Sequence, residues 1–282
     1  MTSRTAAPSR FVRAGGQNVA VYESAGAGPG VLLIHGNSSS AKAFSHQLDG
    51  SPGDRLRLVA IDLPGHGASE RASDPDRAYT LPGYARAVCD VADEMRLGDA
   101  VIIGWSLGGH IALEASAMLP KASGFFIFGT PPLAFPPAAD AFLPTPAMGS
   151  TFKADLTPDE IDAYAAAFFR PNIGPVPESF LADVRATDKR ARGALGASIA
   201  PDGYADEVAI VAKLDKPLAI LQGAEEQLVN PAYFERLTMP TLWRGKVQIV
   251  AGAGHAPQWE RPLDFNALLE SFVADRRRAK SG

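Results

Sequence analysis

Ala100-Val101-Ile102-Ile103-Gly104-Trp105-Ser106-Leu107-Gly108-Gly109-His110 is the stretch that decides the fold. Four apolar residues in a row suit a strand covered on both faces. A serine follows, flanked across one residue on each side by Gly104 and Gly108. Glycine tolerates the close backbone approach of a very sharp strand-to-helix turn, and such a turn thrusts the serine hydroxyl outward. The free N–H groups of the helix that begins there lie beside any negative charge forming next to that hydroxyl. A Gly-rich turn with a capping serine reads the same way over these five residues. The strand before and the helix after favour a nucleophile.

The same rhythm extends to both sides. Val31-Leu32-Leu33-Ile34, residues 56–61, Phe125-Phe126-Ile127-Phe128, Leu218-Ala219-Ile220-Leu221 and Val247-Gln248-Ile249-Val250 are further short apolar runs. Residues 81–97, 107–119, 232–237 and 263–274 read as helices. Short apolar runs alternating with helices indicate a mostly parallel sheet with crossover helices. Ahead of them, residues 17–23 follow Gly15-Gly16, which predicts an antiparallel hairpin over 10–24 at the sheet edge. The rhythm breaks once, from residue 130 to residue 216. That segment opens with Pro131, Pro132, Pro136, Pro137, Pro144 and Pro146 and contains no convincing strand pair. Thr157-Pro158-Asp159-Glu160 supplies a hydroxyl N-cap, a first-turn proline and an acid at the third position. Ile161, Tyr164, Ala165 and Phe168 then share one helical face. The expected organisation is a core of residues 1–129 and 217–282 with a helical cap of residues 130–216.

Composition narrows the function classes. The chain has 282 residues, enough for one large domain or two small ones at roughly 100–200 residues each. Lys and Arg number 27 against 31 Asp and Glu, a net charge of −4. That balance argues against a nucleic-acid partner, which requires a clustered basic face. The one dense basic run, Arg276-Arg277-Arg278-Ala279-Lys280, reads as a solvated tail. A single cysteine, Cys89, excludes an intramolecular disulfide and a cysteine-based metal site, and its helical setting predicts a buried, inert thiol. No apolar run approaches the ~18 residues that span a bilayer, so no membrane partner is expected. The opening residues lack the apolar stretch of a secretory signal. A cytoplasmic protein is the expectation.

A serine hydroxyl is a weak nucleophile until a base removes its proton. Of the five histidines, His110 sits one turn into the helix after Ser106 and reads as a packed or solvated side chain. His66, in Asp62-Leu63-Pro64-Gly65-His66-Gly67, reads as fixing a tight turn, and His46 has no evident partner. His255 lies in Gly252-Ala253-Gly254-His255-Ala256-Pro257, just after the last strand. That is the strand end where open α/β sheets hold ligands, so His255 is the expected base. The base needs an acid to fix its tautomer. After Leu218-Ala219-Ile220-Leu221 come Glu225 and Glu226, and either is equally readable as a solvated surface charge.

Taken together, His35-Gly36-Asn37, the Asp62 to Ser69 loop, the serine elbow and the His255 loop make the chain resemble the α/β-hydrolase superfamily over nearly its whole length. The resemblance implies an eight-stranded, mostly parallel sheet with the helical cap inserted after strand 6. It also implies Glu226, three residues after Gly223, as the acid, with Glu225 as the fallback. Most members carry aspartate there. A narrower likeness, through residues 35–40, 104–110 and Gly129-Thr130-Pro131-Pro132, is to the N-acyl-homoserine lactonases of this fold. It implies oxyanion donors at the Asn37 and Leu107 backbone N–H groups, substrate contacts at Tyr164 and Trp105, and a small ester or lactone as partner. Phe135, Phe142, Phe152, Phe168 and Phe169 are candidate acyl-pocket residues, and a plain cap core accounts for them equally well. No metal and no cofactor are expected. The competing readings are a carboxylesterase of other small esters or lactones, a non-catalytic receptor and a peroxidase variant. The serine at 106 excludes a dehalogenase. Oligomeric state is left open.

Overall fold

The computed structural model describes residues 3–281. Its apolar runs pair into a sheet of eight strands in the order β1-β2-β4-β3-β5-β6-β7-β8. These are β1 (Arg10–Ala14), β2 (Gln17–Glu23), β3 (Gly30–Ile34), β4 (Arg57–Ile61), β5 (Val101–Trp105), β6 (Gly124–Phe128), β7 (Leu218–Gly223) and β8 (Gln248–Val250). The hairpin β1–β2 is antiparallel and joins β4 antiparallel. From β4 through β3, β5, β6 and β7 to β8 every pairing is parallel. The central strands β5, β6 and β7 are buried at every position. Helices lie on both faces, and this is why these strands are apolar without alternation. The edges alternate instead. Phe11 on β1 is 56 % exposed and Ile249 on β8 is 57 % exposed, while Val12 and Val250 point inward.

The helix Leu81–Glu94 starts where Thr80 accepts the Gly83 N–H, and it buries Ala85, Val88, Val91 and Ala92. The helix Leu107–Glu114 is shorter than its apolar pattern, because a 3₁₀ turn, Ser116–Met118, takes over the last residues. Residues 232–237 are likewise not α-helical but belong to the 3₁₀ turn Pro231–Arg236. At the C-terminus the helix Pro262–Ser281 seats Phe265 and Phe272 against Phe126. The basic run belongs to this helix rather than to a loose tail, with Arg277 and Arg278 exposed as expected. The Arg276 guanidinium lies 5.3 Å from the Phe272 ring centre, and Arg278 pairs with Asp275 at 3.4 Å. The Ala279 and Lys280 side chains fall outside the described residues. Cys89 is half-buried rather than fully buried, and burial pushes its thiol up to about 11. Among the described residues, no helix is long and apolar enough to cross a membrane.

Between β6 and β7 the chain leaves the sheet. It forms the helices Pro158–Ala166, Glu178–Ala186, Lys189–Ser198 and Glu207–Lys213. The first begins in a reciprocal capping box, the Thr157 side chain accepting the Glu160 N–H and the Glu160 carboxylate accepting the Thr157 N–H at 2.8 Å. Tyr164, Ala165 and Phe168 are buried and Ile161 is partly so. This insert sits above the C-terminal ends of the strands.

Candidate active site

The elbow is built by steric necessity. Ser106, between β5 and the helix Leu107–Glu114, has φ 52° and ψ −117°, outside the regions a side-chain-bearing residue ordinarily adopts. A conformation of that kind costs about 1–3 kcal/mol and persists only where its surroundings impose it. They do so through the Ser106 N–H, donated to Phe128 O at 2.9 Å, and the Thr130 hydroxyl, donated to Ser106 O at 2.8 Å. The flanking glycines leave no room for side chains. A Cβ on Gly104 would lie 2.2 Å from Gly108 O, and one on Gly108 2.2 Å from Ile34 O.

Two further strand ends supply an imidazole and a carboxylate. His255, after β8, places Nδ1 at 3.0 Å from each carboxylate oxygen of Glu226, after β7. Both side chains are 2 % exposed. Glu226 is itself held, accepting the Leu228 N–H at 2.8 Å. Glu225 is exposed, and its N–H is spent on Ala253 O. Of the two glutamates, Glu226 is the one that meets the histidine. The ring edge of His255 rests on Gly129, where φ is +60° and a Cβ would come within 2.6 Å of Cε1. The other ring nitrogen, Nε2, is buried and has no hydrogen-bond partner among the described residues.

Ser106 and His255 line one cavity of about 300 Å³, with Asn37, Leu107 and Tyr164 also in its wall. Phe142, Phe152, Phe168, Met148 and Leu195 make most of the rest apolar. Two of the expected pocket aromatics lie elsewhere. Phe135 is 45 % exposed, and Phe169 is fully buried against Phe180. Trp105 also departs from expectation. Its indole is 1 % exposed and packs edge-on against Phe168 and Phe180 of the insert, outside the residues that line the cavity. Its N–H donates to His255 O at 2.8 Å, so Trp105 braces the histidine loop.

The loop after β3 closes the opposite side. His35 donates Nδ1–H to Gly36 O at 2.7 Å and accepts the Leu63 N–H on Nε2 at 2.9 Å. Burial lowers its pKa to about 4, which keeps the ring neutral so that it can serve both bonds. Gly36 packs on the elbow, its Cβ position 3.2 Å from Ser106 Cβ and from the Trp105 ring. The Asn37 side chain donates to Thr151 O at 2.8 Å. Ser38 has φ 56°, and its hydroxyl accepts from the buried Arg192 guanidinium at 3.1 Å. Arg192 was missed in sequence reading; no local pattern marks it. His66 bonds Pro64 O at 3.1 Å within its turn, as expected, and the His46 ring lies tilted against Trp259, the ring centres 4.6 Å apart. His110 is neither merely packed nor solvated. It lines the cavity and bonds Glu207, a residue the sequence did not single out.

A buried acid ties the insert to this loop. Asp183, on the helix Glu178–Ala186, accepts the Ser40 hydroxyl at 2.6 Å and has Lys42 Nζ 3.7 Å away. Burial pushes its pKa up to about 6, against the pull of Ser40 and Lys42 and with some repulsion from Asp62. The folded chain therefore holds this proton more tightly than the unfolded chain. The resulting stability is full at low pH and is lost as pH rises through about 6. Asp183→Asn keeps an acceptor for Ser40 and removes the ionisation. Its melting temperature relative to wild type is expected to climb between about pH 4 and about pH 7, read by parallel thermal melts. A difference flat with pH would refute this role.

Residues 31–268 match the model of the alpha/beta hydrolase family. Among solved structures, the N-acyl homoserine lactonase AidH is similar. A serine-to-glycine variant complexed with N-hexanoyl homoserine lactone is 36 % identical at a TM-score of 0.91, covering 95 % of this chain and 98 % of that one. A glutamate-to-glycine variant complexed with N-hexanoyl homoserine is 36 % identical at 0.90, covering 94 % and 96 %. Among curated proteins, the pimeloyl-[acyl-carrier protein] methyl ester esterase of Stenotrophomonas maltophilia (strain R551-3) is 28 % identical, covering 92 % of this chain and 98 % of that one.

Proposed function

The chain belongs to the alpha/beta hydrolase family, and from that premise we propose that it is a serine hydrolase opening the lactone ring of N-acyl-homoserine lactones through Ser106, His255 and Glu226. Residues 130–216 act as a cap over a core of residues 1–129 and 217–282. The observation that carries this reading is the glutamate. A histidine held by Glu226 borders an apolar cavity shared with an elbow serine, in a chain 36 % identical to a lactonase that was solved as serine and as glutamate variants.

Ser106 attacks the lactone carbonyl while His255 Nε2 takes its proton. Glu226 holds Nδ1–H and stabilises the imidazolium that forms. The oxyanion lies between the backbone N–H groups of Asn37 and Leu107. Leu107 opens its helix, so its N–H has no carbonyl one turn back to bond. One such donor is worth roughly 3–4 kcal/mol in the transition state. Tyr164, whose hydroxyl sits beside Ser38 and Thr151, receives the substrate's amide carbonyl. The leaving alcohol stays tethered to the acyl group and is poised to close the ring again. Turnover therefore requires His255 to activate a water first.

The methyl ester esterase likeness supports a second reading, in which a methyl ester takes the place of the lactone. A panel of N-acyl-homoserine lactones and methyl esters of matched acyl chains separates the two. The first reading expects lactones to lead in kcat/KM by at least about tenfold, a difference of about 1.4 kcal/mol in transition-state binding. Hydrolysis of methyl esters with every lactone left intact would reject it.

A further inference from the structure

The chemistry above leaves a second imidazole–carboxylate pair in the same cavity unused. His110 Nδ1 lies 3.0 Å and 2.8 Å from the two carboxylate oxygens of Glu207. Glu207 opens the helix Glu207–Lys213 of the insert, is fully buried, and also accepts the Leu133 N–H at 2.8 Å. A carboxylate offers no hydrogen, so Nδ1 carries a proton, and in the tautomer with that proton alone Nε2 is an acceptor. Among the described residues Nε2 has no hydrogen-bond partner, and His110 forms part of the cavity wall. It stands four residues after Ser106, its backbone N–H 3.4 Å from Ser106 O.

Tyr204, three residues before Glu207, lines the same cavity, and its hydroxyl is buried with no partner among the described residues. Burial, then the Glu207 charge, raises its pKa, so it remains a donor. A buried hydroxyl left unpaired in a native fold calls for an explanation. Here an imidazole paired to Glu207 and an unpaired hydroxyl near the same carboxylate lie in one mostly apolar wall.

We propose that His110 and Tyr204 form a polar subsite for a hydroxyl group on the substrate's acyl portion, the hydroxyl donating to His110 Nε2 and accepting from Tyr204. A ketone at that place engages Tyr204 alone, and an unsubstituted chain engages neither. The inference rests on the proposed function only in taking this cavity as the substrate site. A mere tie between insert and core would be indifferent to the substituent.

The test compares acyl chains carrying a hydroxyl, a ketone or neither at successive carbons. They are presented both as homoserine lactones and as methyl esters, and the ratio is read on whichever class reacts. Wild type is expected to prefer the hydroxylated chain over the plain one by about tenfold at one position, with the ketone between. Both His110→Leu and Tyr204→Phe should bring that ratio close to one. Tyr204→Phe removes a single oxygen, which keeps the result readable if His110→Leu misfolds. No preferred position, a ketone equal to or above the hydroxyl, or a preference that survives in a folded variant would overturn the subsite. Reaction of the esters alone would defeat the lactonase reading while still deciding this one.

Discussion

Ser106→Ala is expected to lower kcat for ring opening by about 10⁴-fold or more while leaving the Kd for the lactone within a few-fold of wild type. The substitution removes the proposed attacking oxygen and leaves the cavity, His255 and the proposed oxyanion donors in place. What remains is catalysis by binding and oxyanion stabilisation alone. Ser106→Gly makes a sharper pair with it. Both variants lose the nucleophile, but glycine relaxes a backbone held at φ 52°, whereas alanine keeps the strain. Ser106→Gly should therefore melt above Ser106→Ala, although glycine ordinarily destabilises through unfolded-state entropy. Single-turnover kinetics, calorimetric binding and thermal melts on the two proteins check all three outcomes. A residual kcat within tenfold of wild type would exclude Ser106 as the nucleophile.

Glu226→Gln should cost about 10⁴-fold in kcat. The amide occupies nearly the same volume and keeps an oxygen for the Leu228 N–H. It cannot stabilise the imidazolium, and turning its NH₂ towards His255 forces the wrong tautomer. Glu226→Asp retains the charge but withdraws it by one methylene. The 3.0 Å contacts to Nδ1 are then lost unless the loop advances, so activity should fall between Glu226→Gln and wild type. Glu225→Ala, at an exposed side chain, should change kcat by less than about twofold. Steady-state kinetics on the three variants settles the assignment. A larger loss from Glu225→Ala than from Glu226→Gln would move the acid by one residue.

The parts of the molecule that were legible in the sequence are those set by near neighbours along the chain. β5, the two glycines and the first turn of helix lie within eleven consecutive residues, and backbone sterics there admit few alternatives. The hairpin at β1–β2 and the capping box at Thr157 are legible for the same reason. Position along the chain was a weaker guide to exposure. The basic run after Asp275 reads as a solvated tail from its place at the end of the chain, and Arg277 and Arg278 are indeed exposed. The helix continues through it, and the Arg276 stem lies on Phe272. Aromatics in the insert were equally opaque. Phe152 and Phe168 reach the cavity, Phe135 points outward and Phe169 turns into the core. Helical periodicity does not say which face a cavity will border.

From its order of residues alone this protein commits to a parallel sheet, an elbow with a serine at its tip and a histidine loop beyond the last strand. Each follows from local sterics and from the two-sided burial of short apolar runs. The folded chain alone brings Glu226 rather than Glu225 onto His255, seats Trp105 against the His255 loop, and joins His110 to Glu207 across 97 positions of sequence. These choices depend on where separate loops converge in space. Burial then raises the cost of leaving a polar group unpaired, so each group is held to the partner that convergence supplies.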